Sequence, residues 1–124
     1  GTRSCFDDDT IQRTRSTRVQ GFAWLETLWA TIESRATERP EGSYTTSLLD
    51  GGVNAVARKV TEEATEVLLA AKDDAAAEAA GDRPALRAAL AGETADLLYH
   101  TLVLLAERDL PPAEVIEVLR ARHR

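Results

Sequence analysis

Between residues 84 and 107 the sequence carries Leu86, Leu90, Leu97, Leu98, Leu102, Val103, Leu104 and Leu105. Wound at 100° per residue, these side chains point in nearly every direction around a helix. A helix that is apolar on every side has to be buried on every side. The chain has only 124 residues and few other helices to offer, so a second subunit is the natural cover. The pattern predicts an all-α protein, a bundle of four to five helices completed by dimerisation. Into the same apolar helix the sequence sets two carboxylates, Glu93 and Asp96.

The other segments agree with that class. Leu25, Leu28, Trp29 and Ile32 recur at helical spacing and the run stops near Pro40. Trp24 and Trp29 read as core or subunit-contact residues. Ser43 looks like the N-cap of a short helix over 44–50, closed by Gly51-Gly52. A long helix over 53–80 follows, with Val53, Val56, Val60, Ala64, Val67 and Ala71 on one stripe. Lys59, Glu62, Glu63 and Glu66 fall on its other side. Gly81-Asp82 breaks the helix and Pro84 suits the first turn of the next one. Asp109 to Pro112 makes a turn before a last helix over 112–123 with Val115, Ile116 and Leu119. There is no strand signal and no internal repeat.

Residues 1–20 are polar and carry Arg3, Arg13, Arg15 and Arg18 without an apolar period, so they read as a linker ahead of a domain over 21–124. Fifteen basic against 21 acidic residues give a net charge of -6. That argues against nucleic acid or a membrane surface as partner, because both need clustered positive charge. No apolar run approaches a membrane span, and no signal peptide precedes the domain. A single Cys rules out an internal disulfide and fits a reducing, cytoplasmic setting. A start at Gly1 reads as processing or as excision from something longer.

The chemistry resides in two motifs, Lys59-Val-Thr-Glu62-Glu63-Ala-Thr-Glu66 and Glu93-Thr-Ala-Asp96. The first alone is explained by a solvated helix face with Lys–Glu pairs, each worth ~0.2–0.5 kcal/mol. The second differs because it interrupts an apolar helix, where an unpaired buried carboxylate costs several kcal/mol or takes up a proton. Set on consecutive antiparallel helices, the two groups would repel. A dication resolves the conflict, and an all-oxygen ligand set favours Mg²⁺, with Mn²⁺ as the alternative. His100, one turn beyond Asp96, stands behind the ligands at most. No Gly-rich phosphate loop, no Ser/Cys–His nucleophile and no Glu-x-x-His di-iron pattern is present.

Taken together, SYTTSLLDGGVNAVARKVTEEATEVLLAAK and ETADLLYHTLVLLAERDLPPAEVIEVLRARH closely resemble the phosphoribosyl-ATP pyrophosphohydrolase family over residues 22–124. The family belongs to the MazG-like all-α nucleotide pyrophosphohydrolases. The resemblance implies an obligate helical dimer and Mg²⁺-dependent hydrolysis of phosphoribosyl-ATP to phosphoribosyl-AMP and pyrophosphate in histidine biosynthesis. It implies that Glu62, Glu63, Glu66, Glu93 and Asp96 hold the metal, directly or through water. Glu62 or Glu63 would handle the attacking water, and Lys59 would contact the substrate; Arg35, Arg39 and Lys72 are further candidates for its phosphates. The opening GTRSCF is similar to the closing motif of phosphoribosyl-AMP cyclohydrolase, whose Cys is a zinc ligand. This implies fusion to such a domain upstream. Cys5 has no Cys partner, so no zinc and no cyclohydrolase activity are expected of this chain. The stretch over 72–92 looks longer than usual for the family, which implies a lengthened helix hairpin.

Two other classes share the pattern. A MazG-like enzyme that clears free or modified nucleoside triphosphates would use the same carboxylates. A non-catalytic helical dimer or adaptor would carry them as ordinary surface.

Overall fold

The computed structural model describes residues 20–78, 81 and 83–124. The basic residues of the linker and the GTRSCF motif with Cys5 lie outside the described residues. Five helices and no strand occur among those described: α1 (Trp24–Glu38), α2 (Tyr44–Asp50), α3 (Gly52–Ala77), α4 (Arg83–Glu107) and α5 (Pro112–Arg122).

The chain divides into two units, Gly1–Ala30 and Thr31–Arg124, with α1 beginning in the first and ending in the second. In the first unit, Gly21 at φ +88° starts the turn into α1, where its carbonyl accepts from the Trp24 N–H. Trp24 is 61% exposed, so the core reading of this residue fails and only a contact surface fits it.

The second unit is built on a hairpin of α3 and α4, with α2 packed on both. Asp74 pairs with Arg83, and further along the same hairpin Glu66 lies beside Glu93. Partner numbers rise on one helix as they fall on the other, so the helices run antiparallel. The core holds Ile32, Leu48, Leu49, Val56 and Val103.

Local chemistry sets the helix ends. The Ser43 hydroxyl accepts from the Thr46 N–H at 3.2 Å and starts α2. Gly51-Gly52 joins α2 to α3 for two separate reasons. Gly52 adopts φ +79°, and a Cβ on Gly51 would come within 2.7 Å of Ala55 Cβ. At the far end of α4, Leu110 N–H donates to the Leu105 carbonyl and Asp109 N–H to that of Ala106. This is a Schellman stop, with Asp109 at φ 55° in the place glycine usually takes.

One expectation needs correction. The packed stripe of α3 runs Val56, Val60, Glu63, Val67, Ala70, Asp74, Ala77, alternating steps of three and four. Ala64 and Val53 are exposed, and Glu63 sits on the packed face rather than opposite it. The apolar stripe could be drawn through Ala64 because alanine is cheap on either side of a helix, so it carries little directional information. The helix α4, as its sequence leads one to expect, is not covered on every side within one chain. Only His100 and Val103 are fully buried, and Leu98 is 46% exposed. Among the described residues α2 and α3 make the main contacts with α4, and an apolar flank stays open.

Candidate functional site

Glu63 and Glu66 project from the middle of α3 and Glu93 from the facing part of α4. One carboxylate oxygen from each lies within 4.8 Å of the others. Glu63 is buried, Glu93 half-buried and Glu66 exposed. Geometry puts them together: one turn of α3 separates Glu63 from Glu66, and the antiparallel register brings Glu93 opposite.

The electrostatics of this cluster are unfavourable as it stands. Carboxylates only accept hydrogen bonds, so Glu63 and Glu66 can touch only through a shared proton or a cation. Burial raises the Glu63 carboxyl above the ordinary value, and the neighbouring Glu66 raises it further. Glu93 is raised chiefly by Glu66, then by burial. On its other side Glu63 Oε1 faces Lys59 Nζ at 3.8 Å, while Oε2 is buried with no hydrogen-bond partner. A buried acceptor left unsatisfied is costly. Three carboxylate oxygens gathered this closely, one of them from Glu63, fit a dication of the Mg²⁺ class.

The remaining sequence candidates lie around this centre. Glu62 is outside the three-oxygen cluster and half-exposed, with Oε1 3.5 Å from Lys59 Nζ. Asp96 is exposed and also outside the cluster, though its charge reaches both Glu63 and Glu93. Lys59 links Glu62 and Glu63. Arg39 is committed to Asp50 at 2.6 Å.

Side chains that periodicity did not single out surround His100. Its Nδ1 lies 2.6 Å from the Asp96 carbonyl and its Nε2 2.8 Å from the Tyr44 hydroxyl. Tyr44 stacks near-parallel on Tyr99, and the Tyr99 hydroxyl bonds that of Thr45. These contacts span more than fifty residues, and only the SYT string hinted at them. Asp74 was also missed. It sits buried on the α3 stripe and is held by Arg83 at 3.2 Å.

The raised carboxyls predict how the metal-free protein responds to pH. A carboxyl whose folded value exceeds its unfolded value gives stability that is complete below the unfolded value, 4.5 for Glu, and lost as pH rises through the folded one. Without dication, thermal stability should therefore fall as pH rises above 4.5, through Glu63 and Glu93. Added Mg²⁺ should raise stability more at the higher pH, since it binds the deprotonated groups. Melting curves in chelator and in Mg²⁺ check both signs. A chelated protein that gains stability over this range would contradict the assignment.

The family model for phosphoribosyl-ATP pyrophosphohydrolase matches residues 25–123. The chain belongs to this family. Among its relatives, the histidine biosynthesis bifunctional protein HisIE of Halalkalibacterium halodurans is 44% identical over 124 residues, covering 100% of this chain and 54% of the relative. The phosphoribosyl-ATP pyrophosphatase of Streptococcus gordonii is 46% identical over 98 residues, 79% of this chain and 84% of the relative. That of Rhodopirellula baltica is 43% identical over 98 residues, 79% of this chain and 75% of the relative. The chain thus spans about half the length of the first bifunctional relatives it matches. As a pyrophosphohydrolase family member it carries its acidic cluster on the α3–α4 hairpin, well inside the matched region.

Proposed function

We propose that this chain hydrolyses phosphoribosyl-ATP to phosphoribosyl-AMP and pyrophosphate in histidine biosynthesis, in the cytoplasm and with Mg²⁺. The observation that carries this reading is the convergence of Glu63, Glu66 and Glu93 on the α3–α4 hairpin of a member of this family.

Glu63, Glu66 and Glu93, with Glu62 and Asp96 beside them, would hold the metal directly or through water. When bound, Mg²⁺ neutralises charge on the phosphate oxygens and leaves positions for water and substrate. Glu62 or Glu63 holds the attacking water and accepts its proton. Lys59, at the edge of the cluster, binds a substrate phosphate as a point charge. The test is turnover of phosphoribosyl-ATP against ATP and dUTP, each with and without Mg²⁺. Mg²⁺-dependent pyrophosphate release selective for phosphoribosyl-ATP supports the reading. Preference for ATP or dUTP would instead make the chain a house-cleaning nucleotide hydrolase, and no turnover at all would make it a non-catalytic helical protein.

A homodimer belongs to the same proposal. Leu68, Leu69 and Leu98 are each about half exposed on the hairpin, and α5 has no buried residue while exposing Val115, Ile116, Val118 and Leu119. Among the described residues no helix is long and apolar enough to cross a membrane. A second copy of the chain is the proposed cover for this surface. Leu69→Asp should convert a two-chain species to single chains in analytical ultracentrifugation. A wild-type protein that is already a single chain would contradict the dimer. The similarity of GTRSCF to the closing motif of phosphoribosyl-AMP cyclohydrolase, together with relatives named as bifunctional, supports a domain that works joined to such an enzyme.

A further inference from the structure

We propose that Tyr44 is a substrate-binding residue: with its own proton held by His100, its phenol oxygen accepts a hydrogen bond from a ribose hydroxyl of the nucleotide whose phosphates lie at the acidic cluster. The inference rests on the phosphoribosyl-ATP hydrolase reading and names a contact for the sugar end of that substrate.

The helix sets the position. Glu93, Asp96 and His100 stand at i, i+3 and i+7 and so share one face of α4. Glu93 belongs to the three-oxygen cluster, and His100 lies about 10 Å further along the helix at 1.5 Å per residue. The Tyr44 hydroxyl is 2.8 Å from His100 Nε2, so it stands at the end of this row. A nucleotide with its phosphates beside Glu93 is long enough to lay a sugar there.

The direction of the hydrogen bonds sets what Tyr44 can bind. His100 is buried, and its two ring nitrogens meet a carbonyl and a phenol, neither of them an anion, which fits the neutral ring. The Asp96 carbonyl only accepts, so Nδ1, 2.6 Å away, carries the proton. Nε2 is then an acceptor, and the Tyr44 hydroxyl donates to it. With that proton committed, the phenol oxygen offers only lone pairs. Phosphate oxygens are acceptors too and find no partner in it, whereas a sugar hydroxyl donates to it.

Tyr44 is also placed to meet a ligand. It is half-exposed, while Thr45 and His100 behind it are buried. Its ring lies near-parallel to Tyr99 with centroids 6.1 Å apart, and Ser43 caps its helix, so the oxygen is held at the surface. Anchoring α2 does not require this phenol, since Thr45 bonds Tyr99 and both Leu48 and Leu49 are buried.

Tyr44→Phe keeps the ring and deletes the hydroxyl. Expected is a KM for phosphoribosyl-ATP about fivefold higher, the scale of one neutral hydrogen bond, with little change in kcat. Thr45→Ala, which cuts the neighbouring bond to Tyr99, should leave KM unchanged. The deciding arm uses substrate analogues that lack, in turn, each hydroxyl of either ribose. For one of them the wild type should lose the same fivefold and Tyr44→Phe should lose nothing further, a coupling that a purely structural tyrosine does not produce. ¹⁵N spectra of the wild type should show His100 protonated at Nδ1. An unchanged KM in Tyr44→Phe, independent losses for every analogue, or a proton on Nε2 in place of Nδ1 would overturn the proposal. If wild type binds phosphoribosyl-ATP without turning it over, the functional reading fails on its own, and the same comparison of analogues by calorimetric Kd still decides the role of Tyr44. A wild type that does not bind phosphoribosyl-ATP overturns both.

Discussion

Glu63→Gln is expected to lower turnover of phosphoribosyl-ATP by at least ~10²-fold, the loss typical of a removed general base or metal ligand, and at the same time to stabilise the metal-free protein. The opposite signs follow from one cause. Glu63 is the buried member of the cluster, raised by burial and by Glu66, and its Oε2 has no partner. An uncharged amide of the same shape removes both the repulsion and the cost of burying an anion, and its N–H₂ group can donate to Glu66. The same change would remove a proposed metal ligand and one of the two candidate bases. Steady-state kinetics in Mg²⁺ and melting in chelator measure the two effects separately. A variant with near wild-type turnover would remove Glu63 from the site. A variant destabilised without metal would mean that its charge is satisfied in some other way, with the Lys59 pair at 3.8 Å the first candidate.

Ile32→Ala should destabilise the protein by ~2–5 kcal/mol, since it leaves a cavity in a packed site. Ile32 is 1% exposed, the largest of the three side chains that are wholly buried. It stands on α1, within the unit Thr31–Arg124. Val56 and Val103, also wholly buried on α3 and α4, are worth ~1.5–3 kcal/mol each by burial alone. Urea unfolding of Ile32→Ala against wild type gives the value. A loss under ~0.5 kcal/mol, the level of an exposed substitution, would contradict the burial of Ile32.

Most of the helix plan was legible because its signals are local. Ser43 as cap, Gly51-Gly52 as joint, Pro84 in a first turn and the 109–112 turn each depend on the chemistry of one or two residues. The candidate site was legible in part. Glu93 stood out because a carboxylate in an apolar helix demands a reason, and the structure places it beside Glu63 and Glu66. The ranking among the acids was not legible. At 100° per residue, Glu62 and Glu63 look like neighbours on one polar arc. Packing against α4 buries Glu63 and leaves Glu62 half-exposed on Lys59. The Tyr44–His100–Asp96 chain was beyond reach for the same reason, since a hydrogen bond across fifty-six residues leaves no periodic trace.

The central claim is that Glu63, Glu66 and Glu93 act as one dication site. Mn²⁺ titration followed by electron paramagnetic resonance tests it directly, on wild type and on Glu63→Gln, Glu66→Gln and Glu93→Gln in turn. The account predicts that wild type removes the free Mn²⁺ signal and that each single variant weakens binding by at least ~10-fold, the lower end of losses seen when a metal site is altered. Equal Mn²⁺ binding by wild type and all three variants would contradict it.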